Sequence, residues 1–183
     1  MCKALDTRAA SDFGTPYYEP ARRLYRYWGS LVGTKPRKAL SPLAIGAPLL
    51  PHASLARVLD GGADVRYELI GAALHAAAPR LKPGALASDP LRVDPANRLI
   101  FDRLTGAARA QRPLAFRAWF KALDGRPRAL FTLVLPLGLD PDAPASSDLL
   151  IGVWPLPGGE RTARSVHPAT AQDVTQAFLA SAA

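Results

Sequence analysis

The chain has 183 residues, 49% of them hydrophobic and 21% charged, which is the size and balance of one globular domain with a sizeable core and excludes a disordered basic tail. Lys and Arg outnumber Asp and Glu by 23 to 15, a formal charge of +8, so an acidic partner, an anionic surface and nucleic acid all have to be weighed. The single cysteine, Cys2, excludes an internal disulfide framework and a cysteine-based metal site. No window approaches the ~18 apolar residues of a membrane span, and the first 20 residues carry no apolar leader, so the reading expects a cytoplasmic protein with no membrane span.

Residues 1–19 mix charges, small residues, Gly14 and Pro16 without a sustained period and read as a flexible lead. A helix follows over 20–32. Leu24, Tyr27, Trp28, Leu31 and Val32 share one face, Pro20 suits the first turn, Gly33 and Pro36 supply the stop, and Arg22, Arg23 and Arg26 lie off the stripe. Between Lys35 and His52 the prolines Pro36, Pro42, Pro48 and Pro51 leave room for at most one short helical turn. Two apolar runs, Leu55 to Leu59 and Val65 to Ile70, joined through Asp60, Gly61 and Gly62, predict a β-hairpin closed by Gly71. In the second run Val65, Tyr67 and Leu69 alternate with Arg66 and Glu68, as a strand with one buried face should.

The alanine-rich stretch 72–78 favours a short helix, broken by Pro79 and Pro83. Asp94 and Pro95 resemble a helix start, and Ile100, Leu104, Ala107 and Ala108 carry the stripe to about Ala110. Three strands are predicted after it, over 114–123, 128–137 and 149–156, the first two joined through Asp124, Gly125, Arg126 and Pro127. All three are apolar on both faces. Phe116 and Ile151 are expected on the same face as Phe131 and Leu133, and Trp119, Val134, Leu150 and Trp154 on the outer one. An outer face so apolar needs cover, either from the helix at 20–32 or from a second copy of the chain. The loop 139–147 reads as surface, and Val174, Ala177 and Phe178 predict a short amphipathic helix in the tail 157–183.

Chemical motifs are missing from the sequence. His52, His75 and His167 have no partner at metal-ligand or triad spacing, and neither a nucleophile elbow nor a phosphate-binding loop occurs. No catalytic or metal-binding residue is assigned. Residues 21–38 gather Arg22, Arg23, Arg26, Lys35, Arg37 and Lys38 with interleaved Tyr25, Tyr27 and Trp28, a composition that suits nucleic acid or an anionic surface. Tyr27 and Trp28, however, lie on the apolar stripe of a packing helix, so a solvated basic face is the preferred reading.

The order of elements, helix, proline-rich approach, hairpin, short helices, longer helix and three-strand meander, resembles the PAS sensory fold. LYRYWGSLV at 24–32, KPRKALSP at 35–42, LLPH at 49–52 and RYELIG at 66–71 are similar to the single-domain PAS family common in alphaproteobacteria, and Arg80, Leu81 and Gly84 fall where that family carries similar residues. Pro79 and Pro83 stand where the family more often has Gly and Thr. The resemblance covers about residues 20–156 and implies an α+β domain. Its five-stranded antiparallel sheet would carry the short helices and the helix at 95–110 on one face, with the last strand central between those starting at Leu55 and Arg128. It further implies a non-catalytic sensory or regulatory module acting through protein contact, with enzyme and nucleic-acid binder as alternatives. A cavity lined by Phe101, Leu104, Phe116, Phe131, Leu133 and Ile151 would take a small apolar ligand. Leu24, Tyr27, Trp28, Leu31, Trp119 and Trp154 are the expected contact surface for a protein partner or a homodimer. No cofactor is expected: Cys2 precedes the domain, which argues against an adduct-forming flavin, and residues 95–110 hold no histidine for a haem.

Overall fold

The computed structural model describes residue 13 and residues 15–92, 98–121, 127–156 and 170–182. Among the described residues the frame is an antiparallel sheet of β1 (Ala53–Leu59), β2 (Asp64–Leu69), β3 (Leu114–Lys121), β4 (Pro127–Leu137), β5 (Asp148–Pro155) and β6 (Thr170–Asp173). The strands lie in the order β2-β1-β5-β4-β3-β6. Five helices accompany them: α1 (Glu19–Ser30), α2 (Pro42–Ile45), α3 (Ala72–Ala77), α4 (Arg98–Ala110) and α5 (Thr175–Ala182). β5 sits between β1 and β4, the central place expected for the last strand of the meander.

The β1–β2 turn forms because Asp60, Gly61 and Gly62 all take positive φ, at 46°, 63° and 90°, which glycine and aspartate tolerate best. Within this hairpin the register slips between Leu55 and Ala56, so that Leu55 faces Leu69 while Ala56 faces Tyr67. Glu68 is the extra residue of this bulge. The outer edge of β2 is not bare, since Tyr67 and Ala87 donate backbone N–H groups to Ala85 and Val65, and Gly84 donates to Tyr67. That strap protects an edge that would otherwise invite pairing.

α1 buries Ala21, Leu24 and Trp28 and ends where Leu31 turns extended. Its terminal carbonyls at Leu31 and Gly29 accept from the Lys35 ammonium at 2.8 and 3.3 Å, a cationic C-terminal cap. Between Lys35 and His52 three short helical pieces occur instead of one, at Arg37–Ala39, Pro42–Ile45 and Leu50–His52. Proline forbids a long helix there, but with φ preset it also starts short ones, and Pro42 and Pro51 stand in their first turns.

The sheet has two apolar faces, and this chain covers both. On the first, α1, α5, Phe13, Ile45 and Leu49 pack over Phe131, Leu133, Leu135, Leu150 and Trp154. On the second, α4 and residues from α3 and the strap pack over Ala56, Val65, Tyr67, Phe116, Val134, Leu149, Ile151 and Val153. The cover expected over the outer face is thus supplied by the chain's own N-terminal helix, with help from α5.

The structure departs from the sequence expectations in three places. Phe131 and Leu133 lie under α1 rather than under α4, and Val134 lies under α4. The cause is the β3–β4 register, Phe116 opposite Thr132 and Arg117 opposite Phe131, which assigns the odd-numbered positions of β4 to the α1 face. The sheet has a sixth strand because β6 pairs with β3, and Val174 and Phe178 of the tail join the core beneath α1. Finally, Phe13 and Tyr18, inside the segment read as a flexible lead, are buried. Phe13 packs against Tyr18, Phe131 and Phe178 at ring-centroid distances of 4.6, 5.8 and 6.0 Å. Residues 1–12, Asp94, Pro95 and the turn at 124–126 lie outside the described residues.

Candidate functional site

The layer between α4 and the sheet brings together four of the six residues expected to line a ligand site. Leu104, Phe116 and Ile151 are buried in one cluster, with Phe101 half-buried against it. Phe131 and Leu133 belong to the opposite cluster. Strand pairing arranges the floor in rows: Tyr67, Ala56 and Leu149 in one, Val134 beside Ile151 in the next, and Val153, Thr132 and Phe116 in the third.

Polar groups are set into and around this apolar floor. Tyr67 is 6% exposed, and among the described residues its hydroxyl makes no hydrogen bond. Burial, reinforced by the negative charge of Asp64, pushes that phenol well above its usual range. It therefore stays protonated and offers a donor. Thr132, also buried, makes no side-chain hydrogen bond among the described residues, and the Ser146 hydroxyl is buried without a partner among them. Thr105 on α4 is satisfied locally, donating to the Phe101 carbonyl at 3.0 Å. The Tyr67 hydroxyl went unnoticed in the sequence because alternation marks the residue only as apolar and inward. The signal was there: a tyrosine on a buried stripe carries a polar tip that needs a partner.

The residues expected to meet a partner are used within the chain. Leu24, Trp28 and Trp154 are buried, and Tyr27, Leu31 and Trp119 are half-buried. Trp28 donates its indole N–H to the Pro136 carbonyl at 2.7 Å, and the Tyr27 hydroxyl accepts from the Ser41 backbone at 2.8 Å. The Tyr27-Trp28 pair thus ties α1 to β4 and to the proline-rich approach. The indole of Trp154 stacks on His52, with centroids 5.5 Å apart and planes at 17°. A ring nitrogen of His52 lies 2.8 Å from the Val153 carbonyl. His75 is exposed on α3, and His167 lies outside the described residues.

Most of the basic segment 21–38 is likewise engaged. Arg22 is buried and donates to the carbonyls of Phe13 and Thr15 and to Glu19. Arg26 reaches Glu19 at 2.5 Å, and the hydrogen bond from Arg22, joined by that from Arg26, holds the Glu19 carboxyl below its usual range. Lys35 caps α1 and lies 4.5 Å over the Trp28 ring. Arg37 binds Glu68 and Asp148. Arg23, Arg26 and Lys38 are exposed, and of these Arg26 is held on Glu19, so no continuous run of unpaired cations is presented.

Among the described residues no three His, Cys, Asp or Glu side chains group to hold a metal, and no helix is long and apolar enough to cross a membrane. No family model matches the chain, and no curated protein matches it.

Proposed function

We propose that the chain is a non-catalytic, PAS-like sensory or regulatory module that works through protein contact and is tuned by a small apolar ligand between α4 and the sheet. The observation that carries this reading is the strand order, with β5 between β1 and β4 and α3 and α4 on one face, the arrangement that the PAS resemblance implies. Leu104, Phe116 and Ile151 offer an apolar surround, and the Tyr67 hydroxyl supplies a donor. The ligand favoured by that lining is apolar with few hydrogen-bonding groups, because a dicarboxylate would need a buried cation. A nucleic-acid reading gains nothing from residues 21–38, whose cations are mostly spent on internal carbonyls and carboxylates.

Native mass spectrometry of the purified protein tests the proposal, since it registers a bound small molecule and a bound protein chain in one spectrum. The expected result is a stoichiometric apolar molecule released on denaturation. Recovery of haem, flavin or a di-acid at full occupancy would overturn the reading, as would substrate turnover by the pure protein.

A further inference from the structure

At the β2–β1 end of the α1 face the apolar cluster gives way to charge. Arg37, from the turn after α1, binds Glu68 and lies 3.3 Å from the Asp148 carboxylate. Asp148 also accepts from the Ser147 hydroxyl at 2.7 Å, and its side chain is 7% exposed. The bulge in β2 contributes to this arrangement: the extra residue Glu68 joins the charged group while Tyr67 keeps its place in the opposite core. The Glu68 carboxyl is held below its usual range, chiefly by the hydrogen bond from Arg37.

Two more guanidiniums stand beside this saturated core. Arg57 and Arg66 are direct partners across β1 and β2, and their side chains are 48% and 43% exposed. Arg57 lies 3.4 Å from Glu68 and 3.7 Å from Asp148, and Arg66 lies 3.9 Å from Glu68. Among the described residues neither guanidinium makes a hydrogen bond. Like charges directly opposite each other in a sheet repel, and three guanidiniums against two carboxylates leave one positive charge uncompensated. Both guanidiniums are ion-paired at these long distances yet half exposed, and each carries further donors in a plane that matches a carboxylate.

We propose that Arg57 and Arg66 form a two-guanidinium clamp for a carboxylate. The charge balance selects the ligand: one carboxylate neutralises the group, whereas a phosphate dianion overshoots it beside Glu68 and Asp148. The carboxylate comes either from a free small acid or from an acidic segment of a protein. The clamp holds whether or not the layer under α4 takes a ligand, so failure of either proposal leaves the other standing.

The test is fluorescence anisotropy of the full chain with a fluorescein-labelled hexaglutamate peptide at low ionic strength, competed with acetate and with inorganic phosphate. The native chain should bind, and the double variant Arg57→Gln, Arg66→Gln should bind at least about tenfold more weakly, the loss of charge-assisted bidentate bonds. Arg23→Gln with Arg103→Gln, which removes the same charge elsewhere, Arg103 lying by Asp173 at the far edge of the sheet from β2, should stay within about twofold, because charge remote from a site contributes mainly screened attraction. Arg57→Lys with Arg66→Lys keeps the charge and fold but removes the forks, and should also lose affinity. Competition by acetate at a matched carboxylate concentration would identify a free acid as the source, and its failure beside intact peptide binding an acidic segment. No binding by the native chain, equal loss in the remote variant, full binding by the lysine variant, or stronger competition by phosphate than by acetate would each overturn the proposal.

Discussion

Gly152 is the position where a single methyl group should do the most damage in the centre of the sheet. It lies on β5 between Ala53 of β1 and Leu133 of β4, and the Trp154 indole folds back over it beneath α1. A Cβ at 152 would stand 2.4 and 2.6 Å from Trp154 ring carbons and 2.8 Å from Leu24 Cδ2. These are side-chain atoms, but they have nowhere to go: Trp154 is a rigid ring stacked on His52, and Leu24 is fully buried under α1. Overpacking of this kind costs about 1–3 kcal/mol, which for a chain of this size lowers the melting temperature by about 2–12 °C at roughly 2–4 °C per kcal/mol. Urea unfolding of Gly152→Ala followed by tryptophan fluorescence reads the loss. The decisive comparison is the same substitution in a Trp154→Ala background, where the blocking ring is gone and the added methyl should cost less than about 0.5 kcal/mol, the size of an ordinary neutral change. A Gly152→Ala protein as stable as the parent, or an equal loss in both backgrounds, would refute the packing described here.

Gly71→Ala should be worse still, because its Cβ would meet the Ala53 and Pro51 carbonyl oxygens at 2.6 and 2.7 Å, and backbone yields less than a side chain; the soluble yield checks it. Glu68, its carboxyl lowered by the Arg37 hydrogen bond, contributes stability that is present above the ordinary value of 4.5 and is lost as the pH falls through the lowered value. Urea midpoints should fall in that acid range for the native chain and fall less for Glu68→Gln. Removal of residues 1–33 strips Phe13, Leu24 and Trp28 from the sheet, each buried side chain being worth about 1.5–3 kcal/mol, and should give aggregation by light scattering; a soluble protein with an unchanged melting temperature would contradict it. Tyr67→Phe removes a hydroxyl that makes no hydrogen bond among the described residues, and should leave the melting temperature of the ligand-free chain unchanged or higher.

Elements whose signal is local were legible in the sequence. The α1 stripe from Leu24 to Leu31, the Asp60-Gly61-Gly62 turn and the central place of β5 all appear in the structure, the first two from periodicity and turn chemistry and the third from the family resemblance. What failed to show was anything settled by register or by distant partners. β4 is apolar on both faces, so no polar residue marks which side is outward, and the pairing of Lys121 with Pro127 fixes the parity instead. β6 reads Thr-Ala-Gln-Asp, too short and polar to announce a strand, and it forms because β3 offers an edge. Half of the charged group on the α1 face was equally hidden, since Arg37 meets Glu68 and Asp148 across 31 and 111 residues of sequence. At the candidate site, Phe101, Leu104, Phe116 and Ile151 were found by pattern, while Phe131 and Leu133 were misplaced by the same parity error.

The layer between α4 and the sheet carries the account, and it is tested most directly by denaturing extraction of the purified protein, compared between the native chain and Leu104→Phe. The larger ring narrows the layer at a residue that is buried against Phe116 and Ile151 in one cluster. The account predicts an apolar molecule recovered in stoichiometric amount from the native chain and lost from the variant, with the variant still folded by tryptophan fluorescence. An empty native protein, or the same molecule recovered equally from both, would contradict it.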